Sequence, residues 1–161
     1  MSKKKILILK TLYNKGGEGV VKVEKNEKNS LKKFKELIDA YKVPVVIQDF
    51  ISKVSDGDKR VILIEGEPVG LINRVPKIGQ YKANLHLGGK AEISILTKKE
   101  QEICKKIKPF LLANKLIFVG IDLIDEKLSE INVTSPTGIV QIQELTGVNV
   151  ARILWSKLLK E

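Results

Sequence analysis

Arginine, aromatic residues, cysteine and histidine are all scarce in this chain of 161 residues, and each shortage closes off a class of function. The single cysteine, Cys104, cannot form an internal disulfide. It lies between Ile103 and Ile107 on a predicted helix with no histidine or second cysteine nearby, the setting of a packed thiol rather than of a nucleophile. The one histidine, His86, stands alone on a predicted loop and reads as unremarkable. No apolar run approaches the roughly 18–20 residues of a membrane span. The basic start, MSKKKILILK, holds only four consecutive apolar residues, Ile6 to Leu9, too few for a signal-peptide core. A cytoplasmic protein with no membrane partner is therefore expected.

Charge is abundant but one-sided. The formal charge is +10, carried by 26 lysines and three arginines against 19 acids. Residues 1–42 contain twelve lysines and five acids, so +7 of the +10 sits in the first quarter of the chain. Nucleic-acid surfaces combine basic patches with arginine and stacking aromatics. Aromatics make up only 5% here, so the lysines read as solvated faces and no nucleic-acid partner is expected. Where lysine is the default cation, Arg60 and Arg74 mark places that need a planar fork gripping phosphate or carboxylate with two hydrogen bonds.

A chain of this length can bury roughly 70% of its unfolded surface, enough for a real core. KILILK and GVVKVEK read as strands joined by the loop TLYNKGGE. NSLKKFKELIDAYK reads as a helix capped by Ser30 or Asn29, with Leu31, Phe34, Leu37, Ile38 and Tyr41 on its apolar face. VPVVIQDFI is a further strand, and KRVILIEGEPVGLINRV is a hairpin about Glu65 to Pro68. Residues 76–90 have no clean period and read as a mobile loop. Thr97 and Glu100 form a capping box before a helix whose Ile103, Ile107, Phe110 and Leu111 should point inward and which Pro109 should kink or break. LIFVGIDLI and LSEINV make another hairpin, followed by the loop TSPTG and one or two helices. Strands, hairpins and helices in this order predict an α+β fold with a mostly antiparallel sheet and flanking helices. The one candidate boundary falls near residues 42–44, where the lysine-rich front ends, dividing the chain into 1–42 and 43–161.

The last hairpin carries the sharpest chemical signal. With its turn centred on Glu126, Leu123 faces Ser129, Asp122 faces Glu130, Ile121 faces Ile131 and Gly120 faces Asn132. Asp122, Glu130 and Asn132 then share one side of the ribbon. Opposed residues have Cβ atoms about 4.5–5.5 Å apart, where like charges repel, so something positive should sit between the carboxylates. Two carboxylates and an amide oxygen are hard ligands suited to Mg2+ or Mn2+; Gly120 would leave space beside the ion. The alternative is an ordinary acidic surface, and the hairpin alone does not choose between them. The loop around Gly16 and Gly17 lacks the GK[ST] ending and following helix of a Walker loop, and by itself reads as a hairpin turn.

In order along the chain, ILK, KGG, DGDKRVILIEGEPV, NLHLGGKAE, LTKKE, KLIFVGIDLI and EINVTSPTG resemble the bacterial glutathione synthetase family, from residue 5 to about 155. The resemblance implies a partial ATP-grasp fold: residues 1–42 as the remainder of the small subdomain with a glycine-rich phosphate loop, and 43–161 as the large subdomain with the magnesium site. A front part of the family's length would lie outside this sequence. The implied activity uses ATP to join γ-glutamylcysteine to glycine through an acyl phosphate, giving glutathione, ADP and phosphate. Lys10, Gly16 and Gly17 would meet the nucleotide phosphates. Gln48, Asp49, Phe50 and Ile51 would line the adenine, and Asp58 would lie at the ribose. Arg60 and Arg74 would hold phosphoryl and acyl-phosphate oxygens, acting as the catalytic pair. Asp122, Glu130 and Asn132 match the family's magnesium ligands. Lys82, Asn84, Gly88, Gly89, Ser135, Pro136 and Thr137 would bound the substrate end, Lys82 standing where the family carries arginine. The expected partners are ATP, γ-glutamylcysteine and glycine, with a separately encoded N-terminal half or a second copy. Two other readings stand beside this one: a non-catalytic subunit or remnant that binds ATP and magnesium, and an ATP-grasp ligase for another amino acid or peptide.

Overall fold

The computed structural model describes residues 5–14 and 16–159. Lys15 in the glycine loop and the side chain of His86 lie outside the described residues. The chain divides into two compact units, residues 1–52 and 53–161.

In the first unit, strands β1 (Ile6–Thr11), β2 (Val20–Glu24) and β3 (Val45–Asp49) form an antiparallel sheet in the order β2-β1-β3. Helix α1 (Lys28–Tyr41) covers one face. The register sets Leu9 between Val21 and Ile47, and Leu7 between Val23 and Asp49. Leu9, Val23 and Leu37 are buried with Leu7, Val21, Phe34 and Val45 packed around them. A three-stranded sheet covers only a narrow stripe of a helix, so the apolar face of α1 is thinner than its sequence predicts. Leu37 is buried and Phe34 packs, whereas Leu31, Ile38 and Tyr41 are exposed. The cap also differs: Glu27 occupies the position with no side-chain bond, while the Ser30 hydroxyl donates to the Glu24 carbonyl at 2.6 Å.

The second unit is a five-stranded antiparallel sheet in the order β6-β5-β4-β7-β8. Its strands are β4 (Asp58–Ile64), β5 (Glu67–Val75), β6 (Lys90–Glu92), β7 (Phe118–Ile124) and β8 (Lys127–Asn132). Helix α2 (Lys98–Ala113) packs Cys104 and Leu111 onto Val61, Leu63, Val119, Ile121 and Leu123. On the other face, α3 (Ile139–Thr146) and α4 (Val150–Leu158) bring Ile142 and Val150 against Ile62, Ile64 and Ile72. The central strands are thus buried on both sides, which is why β4 reads as a continuous apolar run rather than an alternation.

The capping box of α2 is present, with the Thr97 hydroxyl accepting from the Glu100 amide and the Glu100 carboxylate accepting from the Thr97 amide. The helix runs unbroken through Pro109, and Phe110 turns outward while Leu111 is buried. Both hairpins close more tightly than the sequence suggests. Glu65-Gly66 and Asp125-Glu126 each have positive φ at both residues, the geometry of two-residue turns matching the strand twist. In the β7–β8 hairpin this pairs Ile124 with Lys127 and Leu123 with Leu128, not Ser129. A bulge follows and restores the expected pairs: Asp122 with Glu130, Ile121 with Ile131 and Gly120 with Asn132.

Candidate functional site

Arg60, Arg74 and Asp122 are buried at one end of the second unit's sheet, on the face that packs on α3 and α4 further along. The strand register assembles them. Arg60 on β4 pairs with Asp122 on β7, and Asp58 on β4 pairs with Arg74 on β5, so all four side chains project from one face of three neighbouring strands.

Their contacts form a closed charge network. Arg60 Nε donates to Asp122 Oδ1 at 2.6 Å and Arg60 Nη2 to Oδ2 at 3.0 Å, the parallel two-bond grip that only a guanidinium can make. Arg60 Nη1 donates to the Thr137 carbonyl at 3.0 Å. Arg74 Nη2 bridges two carboxylates, 2.6 Å from Asp58 Oδ2 and 3.0 Å from Asp122 Oδ1. Asn132 Nδ2 lies 3.4 Å from Asp122 Oδ2. The side chains of Arg60, Arg74 and Asp122 are 5–7% exposed, so these interactions act with little solvent screening.

Electrostatics separates the two aspartates. Burial pushes the Asp122 carboxyl up, but the Arg74 and Arg60 guanidiniums outweigh it and hold the group below the usual carboxylate range. Burial, helped by the Asp122 charge, pushes Asp58 up to about 7 against the pull of Arg74 and Arg60. Asp58 Oδ1 is a buried oxygen without a hydrogen-bond partner. The two carboxylates raise the Arg74 pKa despite its burial.

Magnesium can be tested against these residues by donor type and geometry. Asp122, Glu130 and Asn132 offer hard oxygens from one side of a hairpin whose register brings them together. They fit such a cation on one condition: Asp122 already accepts two hydrogen bonds on each oxygen, and Asn132 turns its amide nitrogen toward it. Asp122 is here neutralised by Arg60 and Arg74, while Glu130, its partner across the hairpin, is exposed. Gly120 does not leave open space either, since a Cβ there would fall 2.7 Å from Pro136 Cβ and 3.4 Å from Arg60 Cδ. Among the described residues no group of three or more histidine, cysteine or acidic side chains is arranged to hold a metal.

The remaining sequence-derived residues fall into three places. In the first unit Lys10 and Gln48 share the sheet face away from α1 with Lys22, whose ammonium sits 3.9 Å from the Phe50 ring centre. Asp49 projects from the opposite face and pairs with Lys5 at 2.9 Å, while half-buried Ile51 follows the strand. Gly16 and Gly17 both adopt positive φ in the turn before β2. Lys82, Asn84, Gly88 and Gly89 belong to a folded segment rather than a featureless one: a 3-10 turn spans Leu85–Leu87, and the Leu87 and Gly89 amides both donate to the Asn84 carbonyl. A side chain at Gly89 would meet the Ala83 carbonyl oxygen at 2.6 Å, so the chain can only cross itself there without one. In the third place, the loop after β8, Ser135 has a φ of +49°, Pro136 is buried and Thr137 supplies the carbonyl held by Arg60. Sequence reasoning missed the pairing of Asp58 with Arg74, which was encoded in the β4–β5 hairpin.

Similar proteins were found by sequence and by fold. Residues 1–147 match the family described as prokaryotic glutathione synthetase, ATP-grasp domain. The glutathione synthetase of Agrobacterium fabrum is 42% identical over 155 residues, covering 96% of this chain and 49% of that protein. That of Prochlorococcus marinus subsp. pastoris is 45% identical over 155 residues, covering 96% and 50%. The chain thus spans about half the length of the curated relatives it matches. Among solved structures, D-cycloserine synthetase superposes with a TM-score of 0.69 at 12% identity, covering 97% of this chain and 57% of that one. D-alanine–D-alanine ligase from Bacillus anthracis, complexed with ATP, superposes with a TM-score of 0.60 at 20% identity, covering 96% and 50%. At such identities the likeness speaks for the fold alone, which is ATP-grasp. With a family match across nine-tenths of its residues, an antiparallel α+β architecture and this buried arginine–aspartate cluster, the chain belongs to the prokaryotic glutathione synthetase ATP-grasp family.

Proposed function

We propose that this chain is the nucleotide-binding and phosphoryl-handling part of an ATP-dependent carboxylate–amine ligase of the glutathione synthetase type. The observation that carries the reading is the 42–45% identity to glutathione synthetases along 155 residues, in which Arg60, Arg74, Asp122, Glu130 and Asn132 all fall. The chemistry follows from what a carboxylate lacks. It is a poor electrophile, so the γ-glutamylcysteine carboxylate first attacks the γ-phosphorus of ATP and ADP departs, leaving an acyl phosphate. The glycine amine then attacks the acyl carbon, phosphate leaves with the C–O electron pair, and the amine gives up a proton.

Arg60 and Arg74 face the equatorial oxygens of the transferring group and then the acyl-phosphate oxygens, where negative charge gathers. Asp122, Glu130 and Asn132 would hold the magnesium, which would supply Lewis-acid neutralisation of phosphate charge when bound. Lys10, Gly16 and Gly17 contact phosphates, and the strand and loop through Gln48, Asp49, Phe50 and Ile51 line the adenine. Asp58, carried over as a ribose contact, is better placed as the partner of Arg74. Lys82, Asn84, Gly88, Gly89 and the 135–137 loop bound the peptide and glycine, with Lys82 offering a point charge where a fork would grip a carboxylate twice.

The test is ADP release with γ-glutamylcysteine and glycine. It is run with the chain alone and with the separately expressed other half of the Prochlorococcus marinus relative. Turnover in either arm supports the ligase, and turnover only in the mixture supports a two-part enzyme. Uptake of ATP with magnesium but no turnover with any amino acid or peptide would replace the proposal with a non-catalytic subunit. Failure to bind ATP with magnesium at all would refute it.

A further inference from the structure

The four side chains Asp58, Arg60, Arg74 and Asp122 are wired asymmetrically. Asp122 spends all its acceptor capacity, two bonds on each oxygen, on Arg60, Arg74 and Asn132. Asp58 spends far less: Oδ2 takes the Arg74 bond at 2.6 Å, while Oδ1 is buried and empty-handed. Arg74 therefore has a second carboxylate to lean on, one with a spare oxygen. Arg60 shows no second carboxylate partner among the described residues; apart from Asp122 its hydrogen bonds there go to the Thr137 carbonyl. Its aliphatic stem lies across Gly120, with Cδ 3.4 Å from where a Cβ would be.

We propose that Asp122 exchanges partners, held by the guanidiniums when no cation is present and turning to a divalent cation when one enters, and that Asp58 is the positioning residue that keeps Arg74 in place while Arg60 is released. This rests on the metal site of the proposed function and adds to it an order of events. A carboxylate whose lone pairs are all engaged cannot ligate a cation without giving up donors. A divalent ion beside two buried guanidiniums would also add like charge to like, and the departure of one relieves this. Arg74 can transfer its lost bond to Asp58 Oδ1. Arg60, with no second carboxylate, is the one freed to face an anion outside the network. The cation thus arms an arginine as it binds.

The chain has three arginines, Arg60, Arg74 and the exposed Arg152, which makes the exchange readable residue by residue. The experiment follows the three Nε–H resonances in a 15N-labelled full chain during a Mg2+ titration without nucleotide, with calorimetry reporting binding in parallel. Arg60 should shift on binding, Arg74 should hold its position, and Arg152 should serve as the internal reference. In Asp58→Asn, Arg74 should move together with Arg60, an effect that a merely structural role for Asp58 would not produce. Competition supplies a second readout, Mn2+ affinity by electron paramagnetic resonance. Arg60→Lys keeps the charge but loses the two-bond grip, so it should bind Mn2+ roughly tenfold tighter than the native chain. Unchanged affinity in Arg60→Lys, an Arg60 resonance that stays put at saturating Mg2+, or no Mg2+ binding without nucleotide would each overturn the exchange. Binding of Mg2+ together with a non-hydrolysable ATP analogue separates the two levels: uptake with Arg60 still locked on Asp122 defeats this inference alone, and no uptake defeats the metal site beneath it.

Discussion

Gly120 is the position at which fold and site are most tightly coupled, and Gly120→Ala tests that coupling. Gly120 is paired on both sides, with Ile62 in β4 and Asn132 in β8, so the strand cannot swing away to admit a methyl group. The new Cβ would sit 2.7 Å from Pro136 Cβ, about 0.7 Å short of the 3.4 Å at which ordinary contact begins. Arg60 Cδ, at 3.4 Å, needs no large adjustment, so the strain falls on the proline, a ring atom tied to backbone. Overpacking of this kind costs about 1–3 kcal/mol. Replacing glycine by alanine within a strand returns roughly 0.5–1 kcal/mol of backbone entropy. The net expectation is a loss of about 1 kcal/mol, within a range of about 0–2.5 kcal/mol, each kcal/mol lowering the melting temperature by about 2–4 °C for a chain of this size. Urea and thermal unfolding of Gly120→Ala, Pro136→Gly and the double variant would measure it. The double variant should recover stability relative to the sum of the singles, because glycine at 136 removes the clashing atom. Strictly additive effects in the double variant would show that Pro136 does not rest on Gly120 and that the 135–137 loop is not held against the arginine cluster.

Other predictions follow from the same geometry. Arg74→Met leaves two buried carboxylates facing each other and should cost about 3–5 kcal/mol in urea unfolding, whereas Asp49→Asn, which breaks an exposed pair with Lys5, should cost under about 1 kcal/mol. Burial raises the Cys104 thiol, so iodoacetamide at pH 8 should label it only in step with global unfolding; fast labelling in the absence of urea would contradict the packing of α2. Asp58, faced by Asp122, Arg74 and Arg60, has a folded-state pKa above its unfolded one, so its contribution to stability is full below about pH 4 and is lost as pH rises to about 7. The native chain should therefore lose more urea resistance between pH 5 and 8 than Asp58→Asn does, and equal slopes would refute the assignment.

What the sequence could and could not convey differs element by element. Hairpins were legible because turn residues and apolar runs are local: the β4–β5 and β7–β8 ribbons both exist where pattern alone puts them, although each turn is shorter than expected and a bulge in β7–β8 is what restores the pairing of Asp122 with Glu130. The Thr97–Glu100 box was legible for the same reason. Strand β6 was not, since its three residues, Lys90–Glu92, have no period of their own and exist as a strand only by pairing with Val75, Arg74 and Asn73. The outward turn of Phe110 and the exposure of Leu31 were equally hidden. Both depend on how much sheet lies beneath a helix, which periodicity does not report.

For the site, the hairpin register brought Asp122 opposite Glu130 from sequence alone, and with it the need for a nearby positive charge. What sequence could not tell is that a neighbouring strand supplies that charge, because the pairing of Arg60 with Asp122 joins residues 62 apart through the β4–β7 register. Composition nonetheless held the clue. In a chain with 26 lysines, two of the three arginines lie in this network. A lysine at position 60 would place one point charge near Asp122 and leave a carboxylate oxygen short of a donor; a lysine at 74 has no rigid plane with which to touch Asp58 and Asp122 at once. Burial makes those shortfalls expensive, since an unsatisfied buried carboxylate oxygen costs about 1–3 kcal/mol or more. The requirement that this network places on arginine, two directed bonds to planar oxygens away from water, is the same one that a phosphoryl or acyl-phosphate group would impose. On the proposed function, the stability of the fold and the recognition of such a group would therefore select the same side chain at positions 60 and 74.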